Sequence, residues 1–166
     1  MVRFSGRYTE KQWRQGVWMA TRPRGVTAVL YGGLFLIGLA LAVAVVHSMI
    51  KEGQVGFREG RRLLSAFLAI YLGARPYIHL WRSAQKGWQQ VRSISMTGTV
   101  DAEGILLFDQ VRRTWDNFIR LYVGKNLAVL VEQTGHLLVL PKSFFTSEDD
   151  WESFLQTARM AIAEPK

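Results

Sequence analysis

Residues 26–50 read VTAVLYGGLFLIGLALAVAVVHSMI, and none of these side chains carries a formal charge. As an α-helix this run would reach about 37 Å, which exceeds the roughly 30 Å hydrocarbon core of a bilayer. The run is too long for the apolar part of a cleaved signal peptide, and no small-x-small cleavage site clearly follows it. The sequence therefore predicts a transmembrane helix at this position.

A second apolar run is shorter. Residues 63–74 are uncharged and end at Arg75 and Pro76, and a helix of that length spans only about 18 Å. The run crosses a bilayer only if its helix continues to Trp81. With that continuation, the two spans, residues 26–50 and 63–81, form a transmembrane hairpin joined by a short link over residues 51–62.

Small residues recur along both predicted spans. Ser65, Ala69 and Gly73 follow one another at intervals of four, and Ala28 with Gly32 repeats this spacing on the first span. Such a stripe lets a second helix approach closely. The alternative is that small residues are simply common in membrane helices, so the packing assignment of these five residues is a hypothesis.

The positive charge of the chain is unevenly distributed. Of 21 Lys and Arg and 13 Asp and Glu, residues 1–92 hold 14 bases and three acids, whereas residues 93–166 hold seven bases and ten acids. Basic residues beside apolar spans are typical of a membrane protein's cytoplasmic side, which makes nucleic-acid binding the weaker interpretation. Residues 1–25 and 82–92, which flank the hairpin, hold nine bases, against four in the link, so we expect both termini in the cytoplasm.

Arg75 lies within the second predicted span, where a charged side chain costs about 2.5–3.5 kcal/mol on insertion scales. In the predicted orientation it falls in the inner third of the bilayer, and its long side chain can reach the cytoplasmic headgroups. The alternative is that Arg75, beside the kink expected at Pro76, pairs with a lipid phosphate or with an acid of a partner subunit.

A short basic helix is predicted before the first span. Thr9 and Gln12 have the spacing of a capping box, and Pro23 ends the helix. Tryptophans and arginines close to a span are typical of an interfacial helix. The residues that we assign to the membrane interface are Trp13, Trp18, Arg22, Arg24, Arg75, Trp81 and Arg82.

Strand-like alternation appears at the N-terminus and again in the second half of the chain. Residues 2–8 alternate apolar or small with polar side chains, and residues 94–140 contain several short alternating stretches separated by turns, including a continuous third stretch over residues 114–123. This spacing indicates an antiparallel meander. Ser147 and Asp150 then begin a helix whose apolar stripe comprises Trp151, Phe154, Leu155, Ala158 and Ile162.

We therefore expect an α+β membrane protein with three parts. Residues 1–25 supply a strand and an interfacial helix, and residues 26–81 supply the transmembrane hairpin. Residues 88–166 form a small cytoplasmic antiparallel β-domain that the C-terminal amphipathic helix closes.

Three short segments are similar to the YcxB-like family of bacterial membrane proteins. They are Trp115-Asp116-Asn117-Phe118, the segment LPKSFF at residues 140–145 and the helix start at residues 151–154. The residues that match the family motif are Trp115, Pro141, Lys142, Phe145 and Trp151. The resemblance extends over essentially the whole chain. It implies a bacterial inner-membrane protein with a pleckstrin-homology-like domain, in which the N-terminal strand completes the sheet across the hairpin, and it brings no catalytic residues.

The sequence offers little catalytic chemistry. It has no cysteine, which excludes disulfides, thiolate metal sites and cysteine nucleophiles. It also lacks the HExxH, Walker, G-x-S-x-G and dinucleotide-binding motifs. His47 and His79 fall near opposite ends of the predicted hairpin, and His136 has no identifiable partner acid. We expect no enzymatic activity, no cofactor and no metal site.

Two hypotheses of function remain. The first is a membrane-anchored scaffold, an accessory subunit that stabilises a larger inner-membrane complex, for example of respiratory or photosynthetic type; its partners would be membrane lipid and other membrane subunits. The second is a sensor of lipid headgroups, suggested by the pleckstrin-like resemblance and the interface arginines. The net charge of −3 over residues 93–166 disfavours the sensor, because phosphate recognition needs a basic cluster.

Overall fold

The computed structural model describes residues 1–52, 57–108 and 111–163 and divides the chain into two compact units. Residues 22–82 form the first, which we call the hairpin unit. Residues 1–21 and the described residues from Ser83 onward form the second, which we call the β-domain. The elements in chain order are β1 (Val2–Arg7), α1 (Glu10–Thr21), α2 (Val26–Glu52), α3 (Phe57–Val91), β2 (Ser95–Val100), β3 (Gly104–Leu107), β4 (Arg112–Thr114), β5 (Phe118–Val123), β6 (Leu127–Glu132), β7 (Leu137–Pro141) and α4 (Glu148–Ala163).

Helices α2 and α3 are both long and apolar enough to cross a membrane. Only 11% of the most apolar window of α2 and 17% of that of α3 are buried in the protein, unlike the core helices of soluble domains. Helix α3 runs unbroken through Arg75 and Pro76 to Val91, so the continuation to Trp81 is confirmed. Both helices extend beyond the predicted bounds, and residues 53–56 of the predicted link lie outside the described residues.

The β-domain contains two antiparallel sheets. Sheet A has the strand order β1-β2-β3-β4, and sheet B has the order β5-β6-β7. Strand β1 pairs with β2 along its whole length, from Val2 opposite Val100 to Arg7 opposite Ser95. The hairpin unit is therefore an insertion between two paired strands, and the N-terminal strand completes sheet A, as the family resemblance implies.

The predicted N-terminal strand and its buried face are confirmed. Val2, Phe4 and Tyr8 are buried in the core of the β-domain, whereas Arg3, Ser5 and Arg7 are exposed. Gly6 continues the inward face without a side chain because the Phe144 ring occupies that space; a Cβ at Gly6 would lie 2.1 Å from Phe144 Cδ1.

The helix caps also agree with the sequence. The Thr9 N–H donates to Gln12 Oε1 at 3.0 Å, and the Gln12 N–H donates back to Thr9 Oγ1 at 3.3 Å. At the start of α4 the Asp150 N–H donates to Ser147 Oγ at 3.1 Å. The apolar stripe of α4 is buried from Trp151 to Ala158, so this helix closes the β-domain core.

The predicted third stretch, residues 114–123, is interrupted, which corrects the single meander to two sheets. Residues Trp115–Asn117 form a 3₁₀ turn between β4 of sheet A and β5 of sheet B. The cause is the Trp115 side chain, which turns into the core and donates from Nε1 to the Asp101 carbonyl at 3.2 Å.

The Tyr8 hydroxyl joins the start of α1 to sheet B by donating to the buried carbonyl of Val139 at 2.7 Å. We predict that Tyr8→Phe lowers the free energy of unfolding of the full chain in mild detergent by about 1 kcal/mol, because the carbonyl loses its donor. Denaturant titration followed by tryptophan fluorescence measures this. Tyr71→Phe, at an exposed position of α3, is the matched control and should leave the unfolding free energy unchanged.

The pH dependence of the unfolding free energy of the wild type and of Tyr8→Phe provides a second check. Burial raises the pKa of the Tyr8 hydroxyl well above its ordinary value of about 10. Above pH 10 the unfolded chain therefore loses a proton that the folded chain keeps, and stability falls as the pH rises. The advantage of the wild type over Tyr8→Phe should shrink above pH 10; a constant difference would contradict this assignment.

Candidate functional site

The two helices of the hairpin unit meet backbone to backbone at two glycines. A Cβ at Gly38 of α2 would lie 2.7 Å from Ile70 N and 2.9 Å from Ala66 O. A Cβ at Gly73 of α3 would lie 2.7 Å from Phe35 N. No side chain fits at such distances, so these two glycines permit the close contact between α2 and α3.

Of the five residues predicted for helix packing, only Gly73 lies where the two backbones meet. Ala69 and Ala28 are half-buried, Ser65 is exposed and donates to the Arg61 carbonyl, and Gly32 has open space where a Cβ would stand. The buried positions instead recur every seven residues, a spacing that keeps one side of a helix facing its neighbour. They are Gly38 and Val45 on α2 and Ala66, Gly73 and Leu80 on α3.

An open groove of about 710 Å³ lies between α2 and α3 at the end of the hairpin unit that contains Arg82. We call it the hairpin groove. Its walls combine aromatic side chains, two glycines and one arginine. They are Tyr31, Gly32 and Phe35 of α2, and Gly73, Ala74, Tyr77, Ile78, Trp81 and Arg82 of α3. The structure thus brings together Gly32 and Gly73, predicted for helix packing, with Trp81 and Arg82, predicted for the membrane interface.

The surroundings of the hairpin groove are basic. No Asp or Glu occurs between Glu10 and Glu52, nor between Glu59 and Asp101. Arg22, Arg75 and Arg82 are all exposed, and within the described part of the chain none of the three forms a hydrogen bond or an ion pair. The hairpin unit as a whole has eight bases and two acids in its sequence.

Helix α1 packs on sheet B, and Trp13 takes part in a contact within the β-domain. The Trp13 ring lies against Gly87, and its Nε1 donates to the Ala84 carbonyl at 3.0 Å. Gly16 of the same helix faces Val139 of β7 so closely that a Cβ would lie 2.7 Å from it. The apolar side of α1, with Gly16 and Val17 buried, is therefore covered by sheet B.

The other tryptophans and arginines assigned to the interface lie at the surface. Trp18 is 44% and Trp81 is 54% exposed, and Arg24 is exposed just before α2. These side chains do not converge on one point within a single unit, apart from Trp81 and Arg82 in the hairpin groove.

Most of the residues on which the YcxB-like resemblance rests lie in the interior of the β-domain. The Phe145 ring stacks on Phe154 with 5.2 Å between ring centroids and meets Trp151 edge-on at 5.3 Å. Trp115 and Pro141 are buried as well. Lys142 is half-buried and forms an ion pair with Glu148 at the start of α4. Within the described residues, these side chains hold the fold together and form no catalytic arrangement.

A second cavity, of about 600 Å³, lies in the β-domain, and we call it the β-domain pocket. Its polar lining consists of Arg3, Ser5, Thr97, Thr99, Ser143 and Thr146. The Thr99 hydroxyl is inaccessible to solvent and has no hydrogen-bond partner among the described residues. Sequence reasoning missed this cavity because its hydroxyls come from three separate segments of the chain.

The one buried acid among the described residues, Glu132 of β6, joins the two sheets. Its carboxylate forms an ion pair with Arg113 of β4 and accepts a hydrogen bond from Thr134 Oγ1 at 3.2 Å. His136 Nδ1 lies 3.7 Å from the same carboxylate, so His136 does have a neighbouring acid, contrary to the sequence-based expectation. Within residues 1–52, 57–108 and 111–163, no group of three or more His, Asp or Glu could hold a metal ion.

No protein-family model, curated protein or solved structure matches the chain. The YcxB-like resemblance is therefore a prediction that these comparisons do not test.

The hairpin contact can be tested by filling one glycine position. We predict that Gly38→Leu lowers the thermal midpoint of the full chain in mild detergent by several degrees, because the new side chain would force the two backbones apart. Gly33→Leu is the matched control, since a Cβ at Gly33 meets nothing within 4 Å. Equal midpoints for the two variants would show that the close backbone contact is not needed for stability.

Proposed function

We propose that this protein is a membrane-anchored, non-catalytic interaction protein that serves as an accessory subunit of a larger bacterial inner-membrane complex. The observation that carries the proposal is the insertion of a largely exposed apolar hairpin between two paired strands of a folded domain. Because the chain passes between the two units twice, the β-domain is tethered to the hairpin by two connections.

The composition of the hairpin unit supports a position in the bilayer. Its exposed apolar side chains, such as Leu36, Ile37 and Val43 on α2 and Leu64 and Phe67 on α3, would be unfavourable in water. Lipid tails or the apolar helices of partner subunits would cover them. The excess of basic residues outside the spans supports cytoplasmic termini and a short periplasmic link.

The β-domain supports the interaction role by its architecture. Two antiparallel sheets closed by a C-terminal helix are consistent with the pleckstrin-homology-like module that the family resemblance implies. Its ion pair between Arg113 and Glu132 and its aromatic interior stabilise the fold.

Arg75 is the side chain of α3 best placed to recognise a partner. It is exposed on the same face as Leu64, Leu68 and Tyr71, and no described residue neutralises its charge. An unpaired charge within a bilayer is costly, so an acid on a neighbouring subunit would stabilise the contact.

A second candidate function is the sensing of lipid headgroups by the β-domain. The β-domain pocket favours it, because Arg3 and several hydroxyls could bind a phosphate. The charge argument against headgroup sensing counted only residues 93–166, whereas the β-domain also includes residues 1–21 and 83–92. With residues 1–21 and 83–92 included, the β-domain has 13 bases and 11 acids, which is a net charge of +2 instead of −3.

The orientation can be measured by labelling cysteines introduced into a chain that has none of its own. We predict that a membrane-impermeant maleimide labels Lys51→Cys in spheroplasts and leaves Ser153→Cys unlabelled. Both positions are exposed, so accessibility to the reagent depends on the side of the membrane. Inside-out vesicles should give the reverse result, and labelling of Ser153→Cys in spheroplasts would contradict the topology.

The partner complex can be tested by the mass of the native particle. We predict that the protein extracted in mild detergent travels in a particle of fixed composition larger than a small homo-oligomer. Arg75→Gln should lower the recovery of that particle about tenfold, because the buried partner acid loses its counter-charge. Arg62→Gln, also exposed but outside the predicted span, is the matched control. A monomer that carries only lipid would overturn the subunit proposal and favour the headgroup sensor.

A further inference from the structure

The length of the hairpin groove is close to the thickness of the hydrocarbon part of one bilayer leaflet. From Gly73 to Arg82 the α3 wall covers ten residues, which is a rise of about 13 Å along the helix. Half of a hydrocarbon core is about 15 Å. In the proposed orientation Arg82 lies at the cytoplasmic headgroups and Gly73 nearer the middle of the bilayer, so the groove runs along one leaflet.

The lining of the hairpin groove changes character along its length. Phe35, Ala74 and Ile78 form an apolar part of the lining, and an acyl chain could lie along them. Tyr77 lies beside Ile78 in the lining, and Trp81 lies one turn farther along α3, next to Arg82. Amphipathic rings of this kind are common at a membrane interface. Arg82 supplies the charge of the lining, and it has no acidic partner within the described residues.

The charge at the hairpin groove determines which class of lipid headgroup it would bind. Arg82 lines the groove and is not neutralised by any described residue, and residues 60–100 contain no Asp or Glu. A planar guanidinium binds phosphate oxygens through two parallel hydrogen bonds. A zwitterionic headgroup would bring its own cation into this basic region, whereas an anionic headgroup would not.

We propose that the hairpin groove binds one anionic phospholipid of the cytoplasmic leaflet, with an acyl chain along Phe35, Ala74 and Ile78 and the phosphate at Arg82. This site differs from the β-domain pocket, and it rests on the proposed position of the hairpin in the membrane. A lipid held in the groove would fill the space between α2 and α3 that the protein leaves open.

Gly32 and Gly33 provide a closely matched pair of variants. A Cβ at either position meets nothing within 4 Å, so a larger side chain can be added at both without a clash at Cβ. Gly32 lines the hairpin groove, whereas Gly33 does not. Gly32→Leu should therefore occupy the lipid site, and Gly33→Leu should leave it open.

The experiment is native mass spectrometry of the delipidated full chain in mild detergent, after addition of dioleoylphosphatidylglycerol or dioleoylphosphatidylcholine. We expect the wild type and Gly33→Leu to retain one phosphatidylglycerol in preference to phosphatidylcholine. Gly32→Leu should retain about tenfold less of both lipids, the loss that follows when a site is blocked. Ala74→Leu, which fills the same groove from α3, replaces Gly32→Leu should that variant not fold.

Arg82→Gln tests the headgroup contact separately. It should lower phosphatidylglycerol retention about tenfold and remove the preference over phosphatidylcholine, because the charge-assisted hydrogen bonds to the phosphate are lost. Arg62→Gln, at the other end of the hairpin unit, should behave as the wild type. Equal retention by the wild type and Gly32→Leu, or equal binding of the two lipids by the wild type, would overturn the proposal.

Carbonate extraction distinguishes failure of this inference from failure of the proposed function. If the protein resists extraction and yet binds no phosphatidylglycerol in the groove, the lipid site alone is wrong. If carbonate releases the protein from membranes, the membrane position on which both proposals rest is wrong.

Discussion

The pairing of β1 with β2 is the constraint on which the rest of the structure depends. Six residue pairs join strands that lie almost ninety positions apart in the sequence, and the whole hairpin unit stands between them. Strand β1 contributes Val2, Phe4 and Tyr8 to the core, so the β-domain cannot be completed by residues 93–166 alone. Closing so long a loop is costly in chain entropy, and a helical hairpin that brings its two ends back together reduces that cost.

The β-domain uses two different interactions to join its sheets. On one side the aromatic rings of Phe4, Phe145 and Trp151 link β1 to the segment after β7 and to α4. On the other side the ion pair of Arg113 with Glu132 links β4 to β6. The first interaction is apolar and non-directional, whereas the second defines which residues of the two sheets oppose each other. Phe145 and Trp151, two of the residues on which the YcxB-like resemblance rests, belong to the first interaction, which explains why they are large, apolar and buried.

Features that depend on a few neighbouring residues could be read from the sequence. The caps at Thr9 and Ser147, the N-terminal strand and the apolar stripe of α4 each follow from short patterns with a local physical cause. Features that depend on contacts between residues far apart in the sequence could not be predicted in this way. Nothing near Trp13 in the sequence shows that Ala84 and Gly87 lie against it.

The hairpin unit shows the same limit of prediction from sequence. The small-residue stripe identified Gly73, but the choice between Ser65 and Ala66 as its neighbour depends on how far α3 is rotated towards α2. Gly38 was not singled out, although its spacing of seven from Val45 is a signal that could have identified it. The hairpin groove joins residues from two predicted sets, and only the register between the helices shows that they meet.

The distribution of charge between the two units connects the functional proposals. The hairpin unit has a net charge of +6 and the β-domain of +2, so most of the positive excess lies on the segment that would contact lipid. In the proposed membrane position, anionic lipid would therefore be attracted more strongly to the hairpin unit than to the β-domain. Such a lipid would not make the protein a sensor, because a molecule that fills a groove between two helices also gives their outer faces a fixed shape. A lipid at Arg82 and a partner subunit at Arg75 can accordingly belong to one function, in which lipid completes the surface that the partner recognises.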